Sequence, residues 1–107
     1  MIEIKKKGTN KYSFKLKSQS GHTLLRSVEY FDKAEVQHTV QNLNPTNIKS
    51  IRFERKTSND GLFLFDIKNP NGQLIGHSQY YTSEAGMENG IKTLMKRIDT
   101  LSHLGKL

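Results

Sequence analysis

Two stretches of the sequence align without a gap at a fixed offset of 51: FKLKSQSGHTLLRSVEYFDKAEVQHTVQNL (residues 14–43) and FDIKNPNGQLIGHSQYYTSEAGMENGIKTL (residues 65–94). The identical positions are Phe14/Phe65, Lys17/Lys68, Gly21/Gly72, Ser27/Ser78, Tyr30/Tyr81, Ala34/Ala85 and Leu43/Leu94. Like-for-like apolar pairs lie at Tyr12/Phe63, Leu16/Ile67, Leu24/Ile75, Val36/Met87 and Val40/Ile91. An internal repeat of this length indicates two copies of one supersecondary unit.

Each copy begins with a pattern typical of three short strands. Residues 2–5 and 12–17 alternate apolar with polar side chains, which is the period of a half-buried strand. A polar loop ending in Gly21 suits a hairpin whose last loop residue has positive φ. Thr23–Val28 then reads as the third strand, so three antiparallel strands joined by tight turns are expected.

The second copy repeats the three strands at residues 51–56, 62–68 and 74–78. Its second hairpin carries the turn Asn69-Pro70-Asn71-Gly72, with Pro where φ is preset and Gly where φ is positive. Aligning Ile51 with Ile2 gives an offset of 49 for the first strands. The first hairpin of this copy is therefore expected to be two residues longer than its counterpart.

A helix follows the strands in both copies. Asp32 and Ser83 are the expected N-caps, and Asn44-Pro45 is expected to end the first helix. Glu88 and Lys92 form a favourable i,i+4 pair on the second helix. The apolar stripes consist of Val36, Val40 and Leu43 in the first helix and of Met87, Ile91, Leu94, Ile98 and Leu101 in the second.

These elements predict an α+β fold in which tandem β-β-β-α repeats form one antiparallel sheet with two helices packed on one face. A single repeat would leave sheet edges unpaired, and pairing the two copies edge to edge resolves this. We assign residues 1–50 to the first repeat and 51–107 to the second, together forming one compact pseudo-twofold domain. Because the duplication supplies what a single copy would gain by dimerising, we expect a monomer.

The composition excludes several classes of function. The chain has no Cys, so disulfides, thiol catalysis and thiolate metal sites are excluded, and with 34% hydrophobic residues it can bury only a thin core. The four histidines show no metal-ligand spacing, and no cofactor is expected. A charged start without an apolar stretch argues against a secretory signal, and no segment is long enough for a membrane span. We therefore expect a cytoplasmic protein.

The string NGQLIGHSQYYTS (residues 71–83), followed by Gly90-Ile91, resembles the YegP-like family of small bacterial and archaeal proteins. The resemblance implies two strand–strand–strand–helix units in one sheet, with a short strand after the helix that crosses to the other unit. Residues 47–50 would be that strand for the first copy, whereas residues 100–107 do not look like one. The first copy departs from the family at Thr39-Val40, so its helix packing is expected to differ. The resemblance implies no activity, catalytic residue or binding residue.

Charge provides the best functional candidate. Of the net charge of +7, six units lie in residues 1–28, which carry seven Lys or Arg against one acid. If the apolar residues of each strand face the helices, a set of cations faces outward and could contact anions or nucleic acid: Lys5, Lys15, Lys17, Arg52, Lys56 and Lys68. A basic sheet face can follow a phosphate backbone, as in sheet-based nucleic-acid readers.

An ordinary solvated sheet face explains the same pattern and is the more common case. Nucleic-acid readers usually add exposed aromatic residues for base stacking, and this face offers Leu64 instead. Two acids, Glu54 and Asp66, also interrupt it. The cluster of Lys92, Lys96 and Arg97 on the second helix is interpreted as a solvated face.

The repeated residues Ser27/Ser78 and Tyr30/Tyr81 suggest an active site at first sight. No repeated His or carboxylate supplies a base, so we interpret them structurally. Each Ser is expected to bond the backbone at the end of the third strand. Each Tyr is expected to pack its ring under the start of a helix with the hydroxyl at the surface.

The sequence thus predicts a small binding or accessory module that is not an enzyme, with a protein or a nucleic acid as its partner. The alternative within this reading is weak, salt-sensitive nucleic-acid binding through the basic sheet face. An enzyme would require a pocket with perturbed titratable groups.

Overall fold

The computed structural model describes residues 2–43 and 51–105. Its elements, in chain order, are β1 (Ile2–Lys7), β2 (Lys11–Lys17), β3 (Thr23–Ser27), α1 (Lys33–Gln41), β4 (Arg52–Thr57), β5 (Phe63–Lys68), β6 (Leu74–His77) and α2 (Glu84–His103). The strands form one antiparallel sheet in the order β1-β2-β3-β6-β5-β4. The predicted α+β fold, with one six-stranded antiparallel sheet and two helices, is therefore confirmed.

The two halves of the chain meet at the centre of the sheet, where β3 lies beside β6. The register there pairs Arg26 with His77 and Ser27 with Gly76. One more hydrogen bond follows, from the Val28 N–H to the Ile75 carbonyl at 2.9 Å. We call this junction the seam. It is short compared with the hairpins on either side, in which six residue pairs join β1 to β2 and six join β4 to β5.

The hairpin registers correct the predicted alignment of the first strands. Ile2 pairs with Leu16 in the first half, and Phe53 pairs with Ile67 in the second, so the offset of 51 holds through both hairpins. The prediction of a longer first hairpin in the second half was wrong. A slip of two residues keeps every side chain on the same face of a strand, so apolar alternation alone could not reveal the error.

The second hairpin of each half turns through a glycine in the left-handed region, as expected. Gly21 has φ of 92° and Gly72 has φ of 83°. The Gly21 N–H donates to the Ser18 carbonyl at 3.0 Å, and the Gly72 N–H donates to the Asn69 carbonyl at 2.9 Å. Each turn is followed by an irregularity in strand pairing, so the third strand of each half begins with a bulge.

The predicted caps begin both helices. The Asp32 side chain accepts a hydrogen bond from the Ala34 N–H, and the Ser83 hydroxyl accepts one from the Gly86 N–H, each at 3.0 Å. α1 ends at Gln41, and the predicted stop at Asn44-Pro45 lies outside the described residues. The predicted crossing strand at residues 47–50 lies outside them as well.

A single core lies between the sheet and the helices. The predicted apolar stripes of both helices are buried, and they join the inward side chains of the strands. The fully buried large side chains are Phe14, Leu16, Leu25, Val36, Leu43, Phe65, Ile67, Leu94 and Ile98. Burial of this apolar surface is the main stabilising contribution to such a fold.

One ion pair ties α2 to the sheet in a way that the sequence did not predict. The Glu88 carboxylate accepts two hydrogen bonds from the Arg55 guanidinium of β4, one of them at 3.0 Å to Oε2. This hydrogen bonding is the main cause that holds the pKa of Glu88 below its ordinary value, and Lys92 contributes only a minor charge effect. Arg55 on a neighbouring element therefore replaces the predicted i,i+4 neighbour as the main partner.

Candidate functional site

One row of side chains crosses the whole sheet on the face away from the helices. Successive cross-strand pairs define it, and we call it the central row: Glu3, Lys15, Arg26, His77, Asp66 and Glu54. The neighbours of Lys15 along β2 are the buried residues Phe14 and Leu16. Because side chains alternate between faces along a strand, the central row lies on the outer face.

The six predicted cations lie on β1, β2, β4 and β5, and three of them are paired with carboxylates. Lys17 Nζ lies 3.3 Å from a Glu3 oxygen. Lys68 pairs with Glu54 at the equivalent place in the second half. Lys56 Nζ lies 2.7 Å from an Asp66 oxygen. The outer face is therefore much less uniformly positive than its lysines suggest.

The positive charge of the outer face that is not paired with carboxylates is concentrated in the first half. Lys5, Lys15 and Arg26 form what we call the basic patch, and no ion pair among the described residues involves any of them. The charge of Lys5, followed by that of Arg26, lowers the pKa of Lys15 below its ordinary value. These cations therefore repel one another, and an anion placed among them would relieve that repulsion. Arg52 stands apart from the patch, on the opposite edge strand.

Sequence reasoning missed the place of Arg26 on this face. The cause is the bulge at the start of β3, which buries the consecutive residues Leu24 and Leu25. Two adjacent apolar residues obscure the period of two, so the direction of Arg26 was not evident from the pattern. The cross-strand pairing of Arg26 with Lys15 shows that Arg26 lies on the outer face.

The second half carries a carboxylate where the first half carries Lys15. Asp66 is only 2% exposed, and it accepts hydrogen bonds at 2.7 Å from both Lys56 Nζ and His77 Nδ1. Burial alone would raise the pKa of Asp66, but the hydrogen bonds and charges of these two partners lower it below its ordinary value. Asp66 therefore places a negative charge beside Lys56 and His77, at the position where the first half has Lys15.

The repeated serines bind the backbone, as predicted. Ser27 Oγ accepts a hydrogen bond from the Phe14 N–H and donates one to the Val28 carbonyl, both at 2.8 Å. Ser78 Oγ accepts from the Phe65 N–H and donates to the Gln79 carbonyl, also at 2.8 Å. Each hydroxyl uses its proton to hold the chain after the third strand.

The repeated tyrosines differ from each other, and the prediction of a surface hydroxyl was wrong for Tyr81. Its Oη is buried, and its ring stacks on Phe65 at a centroid distance of 6.4 Å. The space comes from Gly90, because a Cβ there would lie 2.2 Å from Tyr81 Oη. The first copy has Thr39 at that position, and a hydrogen bond with the Thr39 side chain partly opposes the rise that burial causes in the pKa of Tyr30.

This difference predicts opposite effects for the same change at the two sites. Tyr81→Phe removes a buried hydroxyl that has no partner among the described residues, so we expect stability to rise by about 0.5 to 1 kcal/mol. Tyr30→Phe removes a hydroxyl that interacts with the Thr39 side chain, so we expect stability to fall instead of rising. Urea unfolding of the two variants measures both. Losses of equal size would contradict the assignment of the two environments.

Arg97 of the cluster on α2 has a structural contact. Its Nε donates a hydrogen bond to the Lys17 carbonyl at 3.1 Å and so ties α2 to the end of β2. Within residues 2–43 and 51–105, no group of three or more His, Cys, Asp or Glu could hold a metal ion. No helix in this part of the chain is long and apolar enough to span a membrane.

Comparison with known proteins gives a consistent set of relatives. A family model described as a domain of unknown function, DUF1508, matches residues 58–101. The UPF0339 protein YegP of Escherichia coli K12 is 33% identical over 93 residues, covering 87% of this chain and 84% of that protein. A UPF0339 protein from the 5′ region of the ptx operon of Stutzerimonas stutzeri is 34% identical with the same coverage.

Two solution structures also resemble this fold. The structure of YegP from Escherichia coli, described as a protein of unknown function, matches with a TM-score of 0.79 and 31% identity, over 90% of this chain and 83% of that one. A UPF0339 protein from Shewanella oneidensis matches with a TM-score of 0.78 and 31% identity, over 89% of this chain and 80% of that one. The similarity thus extends over both halves of the sheet.

Proposed function

We propose that this chain, a member of the UPF0339 family of YegP-like proteins, is a cytoplasmic, non-enzymatic binding module whose basic patch contacts the phosphate backbone of a nucleic acid. The repeated serines support a role other than catalysis, since both hydroxyls are bound to the backbone. The binding we propose is weak, sensitive to salt and tolerant of sequence.

One observation carries the proposal: Lys5, Lys15 and Arg26 lie on three neighbouring strands and form no ion pair with a described residue, although Glu3 lies across from Lys15, whereas in the second half Asp66 pairs with Lys56 and His77. Lys15 and Arg26 are a direct cross-strand pair, which brings the bases of their side chains to about 5 Å from each other. Like charges at this spacing destabilise the free protein. A phosphate bound between them reduces that cost, which favours binding.

The outer face suits a backbone contact better than base recognition. The described residues of the central row are all charged or titratable, and none is Phe, Tyr or Trp. Sequence-tolerant binding of single strands usually combines cations with aromatic stacking. A basic patch without large aromatic side chains binds mainly through counterion release, and therefore with modest affinity that falls steeply with salt.

The test compares two double variants with the same change in net charge. Lys15→Gln with Arg26→Gln removes two cations of the basic patch, and Lys33→Gln with Lys92→Gln removes two exposed lysines on the helices. Fluorescence anisotropy with a labelled single-stranded oligonucleotide at low salt measures affinity. We expect the patch variant to bind about tenfold more weakly. The slope of the logarithm of its binding constant against the logarithm of the salt concentration should be smaller in magnitude by roughly 1.4. The helix variant should bind as the wild type does.

Equal weakening by both double variants would mean that only overall charge matters, and would contradict the patch. An amide-resolved NMR titration gives an independent measure, with shifts expected at β1, β2 and β3 that fade as salt rises. The absence of shifts at low salt would exclude nucleic acid and direct attention to protein partners of the edge strands β1 and β4.

The tandem-repeat description and the monomeric state are part of the same proposal. The constant offset of 51 through both hairpins supports duplication, as do the two helix caps and the two bound serines. The seam already joins one three-stranded unit to the other within the chain. Sedimentation equilibrium should therefore give the mass of one chain, 12.3 kDa.

A further inference from the structure

The basic patch is followed, across the seam, by a histidine held by a buried carboxylate. His77 is the direct cross-strand neighbour of Arg26. Its Nδ1 lies 2.7 Å from Asp66 Oδ1, and its side chain is 49% exposed while that of Asp66 is 3% exposed. The other Asp66 oxygen accepts from Lys56 at 2.7 Å. His77 thus occupies the position equivalent to Arg26 in the other half, with a titratable ring in place of a permanent cation.

We propose that His77 is a further phosphate-binding residue of this face, which extends the basic patch across the seam when it is protonated. This inference rests on the proposed function of the basic patch. Its consequence is that binding of a phosphodiester backbone strengthens as the pH falls from about 8 to about 6, the range in which histidine usually changes charge.

The chemistry follows from which ring nitrogen is occupied. In the neutral ring, a proton on Nδ1 donates to Asp66, so Nε2 carries a lone pair. A lone pair repels a phosphate oxygen. In the protonated ring Nε2 carries a proton as well, and it can donate a charge-assisted hydrogen bond to that oxygen. Asp66 keeps Nδ1 occupied in both states, so Nε2 is the nitrogen whose role changes.

The charged groups around His77 come from three strands. Arg26 of β3 keeps its charge across this pH range, because a guanidinium does not deprotonate in proteins. Asp66 of β5 stays ionised there, since its pKa is lowered by Lys56 and His77 despite its burial. Lys56 of β4 acts on His77 through Asp66, and its own pKa is raised by that carboxylate. Arg26, Asp66 and Lys56 therefore keep their charges between about pH 8 and pH 6, the range in which a histidine side chain usually changes charge.

The experiment measures binding of a single-stranded oligonucleotide with hydroxyl groups at both ends, so that the ligand has no terminal phosphate to titrate. For the wild type we expect affinity to rise by up to about tenfold between about pH 8 and about pH 6. His77→Gln should bind at both pH values as the wild type binds at pH 8. His103→Gln, which changes an exposed histidine on α2, should keep the full pH dependence.

A second variant tests the charge directly. His77→Arg places the residue found at the equivalent position, and we expect it to bind at about pH 8 as tightly as the wild type binds at about pH 6. Its affinity should then be insensitive to pH. In the wild type, the pH midpoint of the His77 ring signals in NMR should rise when the oligonucleotide is added, by about one pH unit for a tenfold effect.

The outcomes separate this inference from the proposed function. Binding that depends on Lys15 and Arg26 but is the same at both pH values would overturn the role of His77 and leave the basic patch in place. A pH dependence that survives in His77→Gln would overturn it as well. No binding at either pH, or binding indifferent to Lys15 and Arg26, would overturn both proposals.

Discussion

Gly76→Ala is expected to lower the free energy of unfolding by about 3 kcal/mol, at the upper end of the usual cost of overpacking. A Cβ at Gly76 would lie 2.4 Å from the Arg26 carbonyl oxygen and 3.0 Å from the Ser27 Cα. Both atoms belong to the backbone, so neither can move away by changing a rotamer. Relief requires β3 and β6 to separate where the seam has only two paired positions.

Chemical denaturation measures this loss, and hydrogen exchange at the Val28 amide reports the opening of the seam, because that N–H donates to the Ile75 carbonyl. The matched control is Gly8→Ala. Gly8 has φ of 64°, and apart from its two chain neighbours no described residue lies within 4 Å of an added Cβ, so its cost comes from backbone strain, about 1 kcal/mol. Similar losses in the two variants would show that the close approach at the seam is not a constraint.

The internal repeat predicted the strands, caps and core-facing side chains because these depend on local patterns. Alternation identified the inward residues of β2, and Asp32 and Ser83 marked the helix starts by their capping chemistry. Edge-to-edge joining of the halves also followed from the cost of unpaired edges. The need for a glycine at position 76 could not be predicted in this way, because it arises from contact between β3 and β6, which are distant in sequence. The counterpart of Gly76 in the first half is the buried Leu25.

The charge balance of the outer face could not be predicted, because it depends on the register between strands. Alternation placed the predicted lysines on one face, but their carboxylate partners sit on neighbouring strands. The assumed offset of 49 also misaligned Glu54, so its equivalence to Glu3 was hidden. With the observed register, the Lys17–Glu3 and Lys68–Glu54 pairs become counterparts.

The functional proposals follow from where the two halves differ. Residues shared by both copies hold the fold, as the serines and the two matching ion pairs do. The central row differs between the halves. The first half has the positively charged Lys15 where the second has the negatively charged Asp66, and it has Arg26 where the second has His77. Positions that the fold requires carry similar residues in both halves, whereas the proposed binding face needs its residues in one half only. The differences between the two halves are therefore the basis of the proposed binding surface.

Replacing either of the repeated serines by alanine is expected to lower stability, and by more for Ser78 than for Ser27. Ser78→Ala leaves the Phe65 N–H without its acceptor in a buried setting, so we expect a loss of about 2 kcal/mol. Ser27→Ala affects the equivalent Phe14 N–H at a half-buried position. Water can reach that site more easily, so a loss of about 1 kcal/mol is expected.

Urea unfolding measures both losses, and hydrogen exchange at the Phe65 amide should speed up in Ser78→Ala. Affinity for the oligonucleotide should stay at the wild-type level in both variants, because neither serine lies in the basic patch. A catalytic or ligand-binding serine would behave in the opposite way, with stability retained and function lost. If Ser78→Ala unfolded like the wild type but lost binding, the structural interpretation of the repeated serine would be wrong, and the hydroxyl rather than the cations would mark the site.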